Sequence, residues 1–326
     1  MSATIEITET SKKGRIATVA GSIVTAALAS GAGSALGAPP LNPGLIVWGY
    51  SQGAPFQQPR GLAFDPRDGA IYVSNTGAHR LEVFSATGRP LSRIVHRVTR
   101  RDGEVVDGSP VALAFDRAGH LLVVDQLAPY VDVLDLHWRM VARLHVPAGQ
   151  PSAVAVGGDG TIYVGTTGDT SKVHRFRPNY EPDGSWGNEG TAPGMLRGVS
   201  ALATLGDSAV VVACERTDLA IQIFTPAGEY RRGFGTHEVG EGNFSLPSGL
   251  AITADGRIWA TDEIRRTLQV FDADGQFLAK INGEGSDTGG FMHPTSLATN
   301  GRSLVALTDR GINRVQIFSV PDSTSP

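Results

Sequence analysis

Acidic and amide residues recur at a nearly fixed spacing along this chain, and their oxygens could bind a cation or a polar ligand. They stand six residues before a repeated apolar strand pattern, at Asn75, Asp125, Thr167, Glu215, Asp262 and Asp309. The intervals are 50, 42, 48, 47 and 47 residues. Such side chains can instead accept hydrogen bonds from backbone N–H groups of their own loops, as Asx turns do. Because the pattern recurs in nearly every repeat, we expect this structural role rather than a site.

The histidines and the one cysteine form no recognisable catalytic or metal-binding pattern. The eight histidines share no position of the repeat, and the repeat starts carry only His293. A zinc site needs several ligands that converge at about 2 Å from the metal. Cys214 lies in the apolar run VVVACE, where a buried small side chain is expected rather than a nucleophile. The sequence therefore predicts no catalytic residue, no metal site and no cofactor.

The spacing of these residues comes from a repeat that occurs six times. Each unit reads as strand, Asp-Gly-type turn, strand, loop, strand, turn and strand, and patterns such as RLEVF and TLQVF alternate polar and apolar residues. The units begin at Gln58, Ser109, Gln150, Gly198, Ser248 and His293. A repeat of about 40–50 residues with four strands is typical of a β-propeller blade.

The two ends of the repeat region complement each other. The last unit ends after three strands, at Val320, and a strand-like stretch GLIVWGY at Gly44–Tyr50 precedes the first unit. We expect this stretch to supply the missing fourth strand and close the ring, which removes exposed sheet edges. The predicted fold is all-β: a six-bladed β-propeller of four-stranded blades, closed by an N-terminal strand and preceded by an apolar N-terminal helix.

Composition and charge agree with turn-rich β structure. The 326 residues include 41 glycines, and only 18% are charged. The net charge of −4 argues against a nucleic-acid partner. Basic residues do cluster in RIVHRVTRR, at Arg97, Arg100 and Arg101, but acidic residues follow at once. This cluster is either a solvated face or a contact for acidic partners or lipid headgroups.

An uncharged segment of 23 residues, Ile16–Ala38, follows a polar basic tail of residues 1–15. It is long enough to span a bilayer as a helix, and PPLNPG would end that helix. Three interpretations remain open: a cleaved signal peptide, an uncleaved signal anchor, or a disordered tail. Small residues at every fourth position would form a smooth helix-packing ridge, at Gly21, Thr25, Ala29, Gly33 and Gly37.

The charge distribution around this segment predicts its orientation. Basic residues precede it, so the positive-inside rule places the propeller on the extracytoplasmic, periplasmic or extracellular side. The predicted organisation is a tail (1–15), a signal anchor or signal peptide (16–38), a linker (39–43), the propeller (44–320) and a C-terminal tail (321–326).

One stretch departs from the repeat. The stretch from Pro178 to Leu196 breaks the blade pattern, and its Tyr180 and Trp186 are candidate aromatic anchors for a partner on a loop. A long loop without function is the alternative.

The motifs resemble the NHL-repeat family of six-bladed propellers over about residues 44–320. The resemblance rests on phrases such as FQQPRGLAF, LPSGLAITADGRIWATD and NRVQIF. The family includes enzymes, RNA binders, protein-interaction modules and cell-envelope subunits, so the resemblance implies the fold and not one function.

Enzymes with related folds hold metals in patterns that this sequence lacks. The peptide-amidating lyase, a family relative, uses histidines from several blades around an axial metal. Lactonase-like propellers, which this fold also resembles, use acidic and Asn residues of the inner strands. The inner strands here carry neither, since they read GLAF, ALAF, AVAV, ALAT, GLAI and SLAT.

The sequence thus favours a non-enzymatic, membrane-tethered propeller that acts as a scaffold or accessory subunit and binds protein subunits of a membrane complex. An exported metal-dependent lyase or hydrolase and a soluble extracytoplasmic ligand-binding propeller are the alternatives.

Overall fold

The second strand of each repeat is a nearly unbroken apolar run and forms the most buried part of its sheet. Every residue of Leu121–Asp125 and of Ala209–Cys214 is buried. A strand that is covered on both faces needs apolar side chains on both faces, so the polar-apolar alternation of a half-exposed strand is lost. The outermost strands are more exposed, as in Pro90–Ile94, because only their inner edge is covered.

The protein is described here from a computed structural model, which covers residues 42–50, 54–281 and 289–320. These residues contain six four-stranded antiparallel sheets, the blades, which we number 1 to 6 in the chain order of their first strands. The resemblance to six-bladed propellers and the predicted all-β class are confirmed.

The four strands of each blade run from the channel outward. The first strands are Pro59–Phe64, Pro110–Phe115, Gln150–Val156, Val199–Leu205, Pro247–Ile252 and Pro294–Thr299. The second strands are Ile71–Asn75, Leu121–Asp125, Ile162–Thr167, Ala209–Cys214, Ile258–Asp262 and Leu304–Asp309. The third strands are Arg80–Phe84, Tyr130–Leu134, Val173–Phe176, Ile221–Phe224, Thr267–Phe271 and Arg314–Ser319. The fourth strands are Pro90–Ile94, Met140–His145, Pro182–Trp186, Tyr230–Phe234, Phe277–Ile281 and Asn42–Val47.

The N-terminal strand Asn42–Val47 completes blade 6, as the sequence predicts. It pairs antiparallel with the third strand of that blade, where Val47 faces Val315. The strand ends at Val47, before the end of the predicted stretch Gly44–Tyr50, because Gly49 takes a φ of +108° and the chain turns away there. Gly49–Tyr50 pairs instead with Ala54–Pro55.

Hydroxyl groups of the first strands join neighbouring blades into the ring. Ser152 Oγ donates to the carbonyl oxygen of Val199 at 2.6 Å, from blade 3 to blade 4. Thr295 Oγ1 donates to the carbonyl oxygen of Pro59 at 3.2 Å, which links blade 6 back to blade 1. The hydrophobic core lies between the blades, as where Phe244, Phe271 and residues of blade 4 form one buried cluster.

The face on which each fourth strand leads into the next first strand is called the top face. Successive strands of a blade run in opposite directions, so the loops between second and third strands lie on this face too. The connections there carry short two-stranded ribbons, at Arg97–Thr99 with Val105–Asp107, and at Asn188–Glu189 with Met195–Leu196.

The predicted N-terminal helix lies outside the described residues, as does all of segment 16–38. Within the described ranges, the helical structure is a 3₁₀ turn at Thr76–Ala78. These ranges contain no helix with the length and hydropathy needed to cross a membrane.

Candidate functional site

Four of the six recurrent polar residues brace the loops of the top face. Asp262 Oδ1 accepts hydrogen bonds from the backbone N–H groups of Ile264 at 3.0 Å and Arg265 at 2.9 Å. Asp125 Oδ1 does the same for Ser109 and Leu127, both at 2.9 Å. Asn75 and Asp309 accept equivalent bonds. Their oxygens are occupied by backbone donors, in agreement with Asx-type turn chemistry.

In blades 3 and 4 the predicted register is wrong by one residue. In the other blades a proline at the start of the first strand faces Asn75, Asp125, Asp262 or Asp309. The equivalent Pro151 of blade 3 faces Thr166, and Val199 of blade 4 faces Cys214. Thr167 and Glu215 come one position later. The spacing was counted back from the third strand, and the loop before that strand is one residue longer in blades 3 and 4.

This shift places Thr167 and Glu215 at the mouth of the axial channel. A cavity of about 290 Å³ lies there, lined by the first strands of all six blades and by Gln126, Thr167, Glu215 and Glu263. These four residues stand at or directly after the end of a second strand, on blades 2 to 5. The channel mouth is therefore a polar cavity to which all six blades contribute.

The first strands reach this mouth through a β-bulge near their start. The bulged residues are Arg60, Val111, Ser152, Ser200, Ser248 and Thr295, and all six line the cavity. One step deeper, an apolar layer narrows the channel, built by Leu62, Leu113, Val154, Leu202, Leu250 and Leu297. The cavity therefore has a polar rim above an apolar floor.

Three charged residues line the cavity, Arg60, Glu215 and Glu263, and a fourth, Arg310, pairs with Glu263. Glu263 and Arg310 form an ion pair, with Arg310 Nε donating to Glu263 Oε1 at 2.8 Å. Arg60 and Glu215 form no ion pair within 4.0 Å with any residue that the structure describes. Burial lowers the pKa of Arg60, and the positive charge of Arg310 lowers it further. Burial likewise raises the pKa of Glu215; the positive charge of Arg216 opposes this shift, and the negative charge of Glu263 adds to it.

The candidate basic contact residues lie on the top-face ribbon between blades 1 and 2. Arg97 is highly exposed and pairs with Asp107, with Nε and Oδ1 3.3 Å apart. Arg100 pairs with Glu104 at 2.8 Å. Arg101 donates to the carbonyl oxygen of Gly149 at 2.8 Å. The acidic residues that follow this cluster in the sequence thus neutralise part of it in the fold.

The two candidate aromatic anchors do not lie on a free loop. Trp186 ends the fourth strand of blade 3, and its ring packs on Phe224 of blade 4 with centroids 4.9 Å apart. Tyr180 lies in the preceding turn, where its hydroxyl donates to Asp116 at 2.6 Å. For Trp186 the loop interpretation is wrong, because the polar sequence PDGSW forms an edge strand, which needs few apolar residues. A partner contact of Tyr180 and Trp186 stays a prediction.

The predicted helix-packing residues Gly21, Thr25, Ala29, Gly33 and Gly37 lie outside the described residues. Within the described ranges, no group of three or more His, Cys, Asp or Glu residues is arranged to hold a metal ion. Cys214 is fully buried, and burial raises the pKa of its thiol to about 12.

Two buried polar motifs escaped the sequence analysis. His96, in the connection from blade 1 to blade 2, lies 3.3 Å from Asp125 and 3.1 Å from Asp132. Burial disfavours its charge, but the two carboxylates outweigh burial and raise the pKa of His96 to about 9. A histidine between two carboxylates of the next blade gives no signal in a sequence, since the three positions are separated along the chain.

The second motif is a buried amide in the third strands. Gln222, Gln269 and Gln316 occupy one position of blades 4, 5 and 6. Each side chain accepts a backbone N–H and donates to a backbone carbonyl of the top-face connection that leads into its own blade, as Gln269 does with Gly242 and Asn243. In the sequence, each of these glutamines stands two residues before a phenylalanine, in IQIF, LQVF and VQIF. This recurrence was the signal that could have revealed them.

Comparisons with known proteins agree with this architecture. The NHL-repeat family matches residues 56–84, which span most of blade 1. Protein brain tumor of Drosophila melanogaster is 25% identical over 197 residues, which make up 50% of this chain and 19% of that protein. The match thus spans about a fifth of the length of that relative.

Solved structures are similar in fold at low identity. A gluconolactonase from Xanthomonas campestris superposes with a TM-score of 0.61 and 16% identity, covering 81% of this chain and 86% of that chain. Virginiamycin B lyase from Staphylococcus aureus superposes with a TM-score of 0.56 and 10% identity, covering 81% and 96%. At such identities the likeness concerns the fold alone. An NHL repeat is matched in blade 1 and five further blades follow the same strand plan, so this chain is a six-bladed β-propeller that contains a recognisable NHL repeat.

Proposed function

We propose that this chain is a non-enzymatic propeller, tethered to a membrane through residues 16–38, that acts as an accessory subunit and binds partner proteins with its top face. The tether is supported by the length of the uncharged segment Ile16–Ala38 and by its ridge of small residues. The basic residues before it favour an extracytoplasmic propeller.

The entry point of the chain supports this orientation. Asn42 begins the outermost strand of blade 6, and that strand runs toward the top face. The residue therefore lies at the bottom edge of the ring. A tether that joins the ring at this edge leaves the top face open to partners.

The observation that carries the proposal is a pair of exposed aliphatic side chains on braced top-face loops. Val239 is 99% exposed and Ile264 is 61% exposed. Arg265 holds their loops together, since its guanidinium donates to the carbonyl oxygens of Gly240 and Asn243, both at 3.0 Å. Ordered loops that present apolar side chains to water are suited to a partner that covers them.

The test is capture of partners from native membranes. Full-length protein with a C-terminal affinity tag is extracted in mild detergent, and co-purifying proteins are quantified by mass spectrometry. We expect stoichiometric membrane proteins with the wild type and a loss of at least about tenfold in a Val239→Asp/Ile264→Asp variant, because two apolar contacts become charged.

A matched control separates this effect from a general surface change. Leu136 is 49% exposed in a turn on the bottom face, so Leu136→Asp should leave partner recovery unchanged. Equal recovery from the double variant and the wild type would contradict the proposed surface. Absence of any stoichiometric partner of the wild type would contradict the accessory-subunit role.

A further inference from the structure

The axial cavity carries opposite charges on opposite sides, and neither forms an ion pair within 4.0 Å with a residue that the structure describes. Arg60 belongs to blade 1 and Glu215 to blade 4, which face each other across a six-membered ring. We propose that this cavity binds a small zwitterion of the amino-acid or short-peptide class, with its carboxylate on Arg60 and its ammonium group beside Glu215. This inference concerns a ligand site and is independent of the partner surface.

Arg60 supplies the carboxylate subsite. Its planar guanidinium offers several N–H donors in a fork that matches a carboxylate. The bulge between Pro59 and Leu62 turns this residue toward the cavity. No acidic residue of the described structure lies within ion-pair distance of it, so its donors remain available. The nearby Arg310 adds to the positive potential on this side and favours an anion further.

The opposite side of the cavity supplies the ammonium subsite. Glu215 is an acceptor when ionised, and the bulge serines of blades 3, 4 and 5 line the same cavity. The hydroxyls of Ser152 and Ser248 already donate to carbonyl oxygens of the next blade, at 2.6 and 2.8 Å. A hydroxyl has one donor but two acceptor lone pairs, so these walls offer acceptors. An ammonium group with three N–H donors fits such walls.

The ion pair between Glu263 and Arg310 keeps the positive side of the cavity, at Arg60, distinct from the negative side, at Glu215. Glu263 is engaged by Arg310, so its negative charge is compensated at the rim between blades 5 and 6. The cavity charges without an ion-pair partner among the described residues are thus one positive and one negative. A ligand with a single charge would satisfy one end and leave the other partly buried and unpaired, which costs free energy.

Besides the carboxylate and the ammonium group, the ligand has a side chain, and the floor of the cavity selects its chemistry. Five leucines and one valine form the layer below the polar rim, so a charged side chain would be desolvated there without a partner. An aliphatic side chain would bury apolar surface instead. Leucine and leucyl-leucine are therefore suitable probes of the class.

The experiment is isothermal titration calorimetry on the detergent-purified full chain at pH 7.5. The probes are L-leucine, L-leucyl-L-leucine, 4-methylpentanoate, which lacks the ammonium group, and 3-methylbutylamine, which lacks the carboxylate. We expect at least one of the two zwitterions to bind about 10- to 100-fold more tightly than both singly charged analogues, the range of one charge-assisted hydrogen bond.

Variants test the assignment of the two subsites. Arg60→Gln and Glu215→Gln should each weaken binding of the zwitterion about 10- to 100-fold. Arg302→Gln and Glu229→Gln, which change exposed residues in turns away from the cavity, should leave it unchanged. Thermal unfolding of every variant without ligand confirms that the fold is intact, and a variant that unfolds is replaced by Arg60→Lys or Glu215→Asp.

Three results would overturn the proposal. One is the absence of heat for both zwitterions up to millimolar concentration. Another is equal affinity for 4-methylpentanoate and the zwitterions, which would make the site a plain anion site. The last is unchanged binding in Arg60→Gln or Glu215→Gln, which would place the ligand elsewhere.

Discussion

At the scale of single residues, His96 links the first two blades through charge. Its imidazolium lies between Asp125 and Asp132, and Asp132 also accepts a hydrogen bond from Arg143 at 2.7 Å. Hydrogen bonds from His96 and Arg143 outweigh burial and lower the pKa of Asp132. The group is thus a buried ion cluster that needs the proton on His96.

This cluster predicts a specific pH dependence of stability. The pKa of His96 is raised to about 9 in the folded protein, above its unfolded value of about 6.5. Its contribution to the free energy of unfolding is then fully present below about pH 6.5 and is lost as the pH rises through about 9. The expected size is on the order of 3 kcal/mol.

Urea unfolding of the wild type and of His96→Gln at pH 6, 7.5 and 9.5 measures this contribution. The difference in free energy of unfolding between the two proteins should shrink as the pH rises. A difference that stays constant over this range would show that His96 is not protonated in the fold.

At the scale of elements, the buried glutamines of the third strands hold the top-face connections. Gln269 accepts the N–H of Gly242 at 2.9 Å and donates to the carbonyl oxygen of Asn243 at 2.8 Å. Replacing it by methionine keeps the length of the side chain and leaves these two backbone groups unpaired. We expect Gln269→Met to lower the free energy of unfolding by about 1–3 kcal/mol.

Gln276 provides the matched control, because its side chain is exposed in a turn of the same blade. Urea denaturation should show a change near zero for Gln276→Met. Equal stabilities of the two variants would mean that the amide of Gln269 contributes nothing to holding the connection.

The sequence predicts the elements of this fold better than it predicts the site. Alternating and apolar runs reveal the strands directly, because burial of each face determines the residue pattern. The fourth strand of blade 3 was mistaken for a loop, since its sequence PDGSW is polar and lies at a sheet edge. One extra residue in the loops of blades 3 and 4 shifted Thr167 and Glu215 out of the structural register.

The site itself depends on geometry that leaves no local pattern. Arg60 stands beside the inner-strand motif GLAF and reaches the channel only because of a β-bulge. Its counterpart Glu215 lies on the opposite blade, more than a hundred residues along the chain. The pairing of such residues across the axis follows from the closure of the ring and not from spacing within one repeat.

At the scale of the whole molecule, stability depends on closure between the two ends of the propeller. The strand Asn42–Val47 is the only part of blade 6 that comes from the N-terminal side, and Val47 is buried against blade 6 and blade 1 residues such as Ile317 and Phe56. A chain that begins at residue 42 should retain the Tm of the full chain. A chain that begins at residue 48 should have a Tm lower by on the order of 10 °C and should aggregate through the open edge.

Differential scanning calorimetry of the two truncated chains checks this prediction. An unchanged Tm after loss of Asn42–Val47 would mean that the ring is stable without its closing strand, contrary to the pairing seen here.

The proposed role as a tethered subunit of a membrane assembly is tested best on the protein in its native membrane. The protein would be extracted from native membranes in mild detergent and separated on a native gel, and its N-terminus and co-migrating proteins would be identified by mass spectrometry. We predict that residues 16–38 remain attached and that membrane proteins co-migrate in stoichiometric amounts. A soluble monomer whose chain begins near Pro39 would contradict the account.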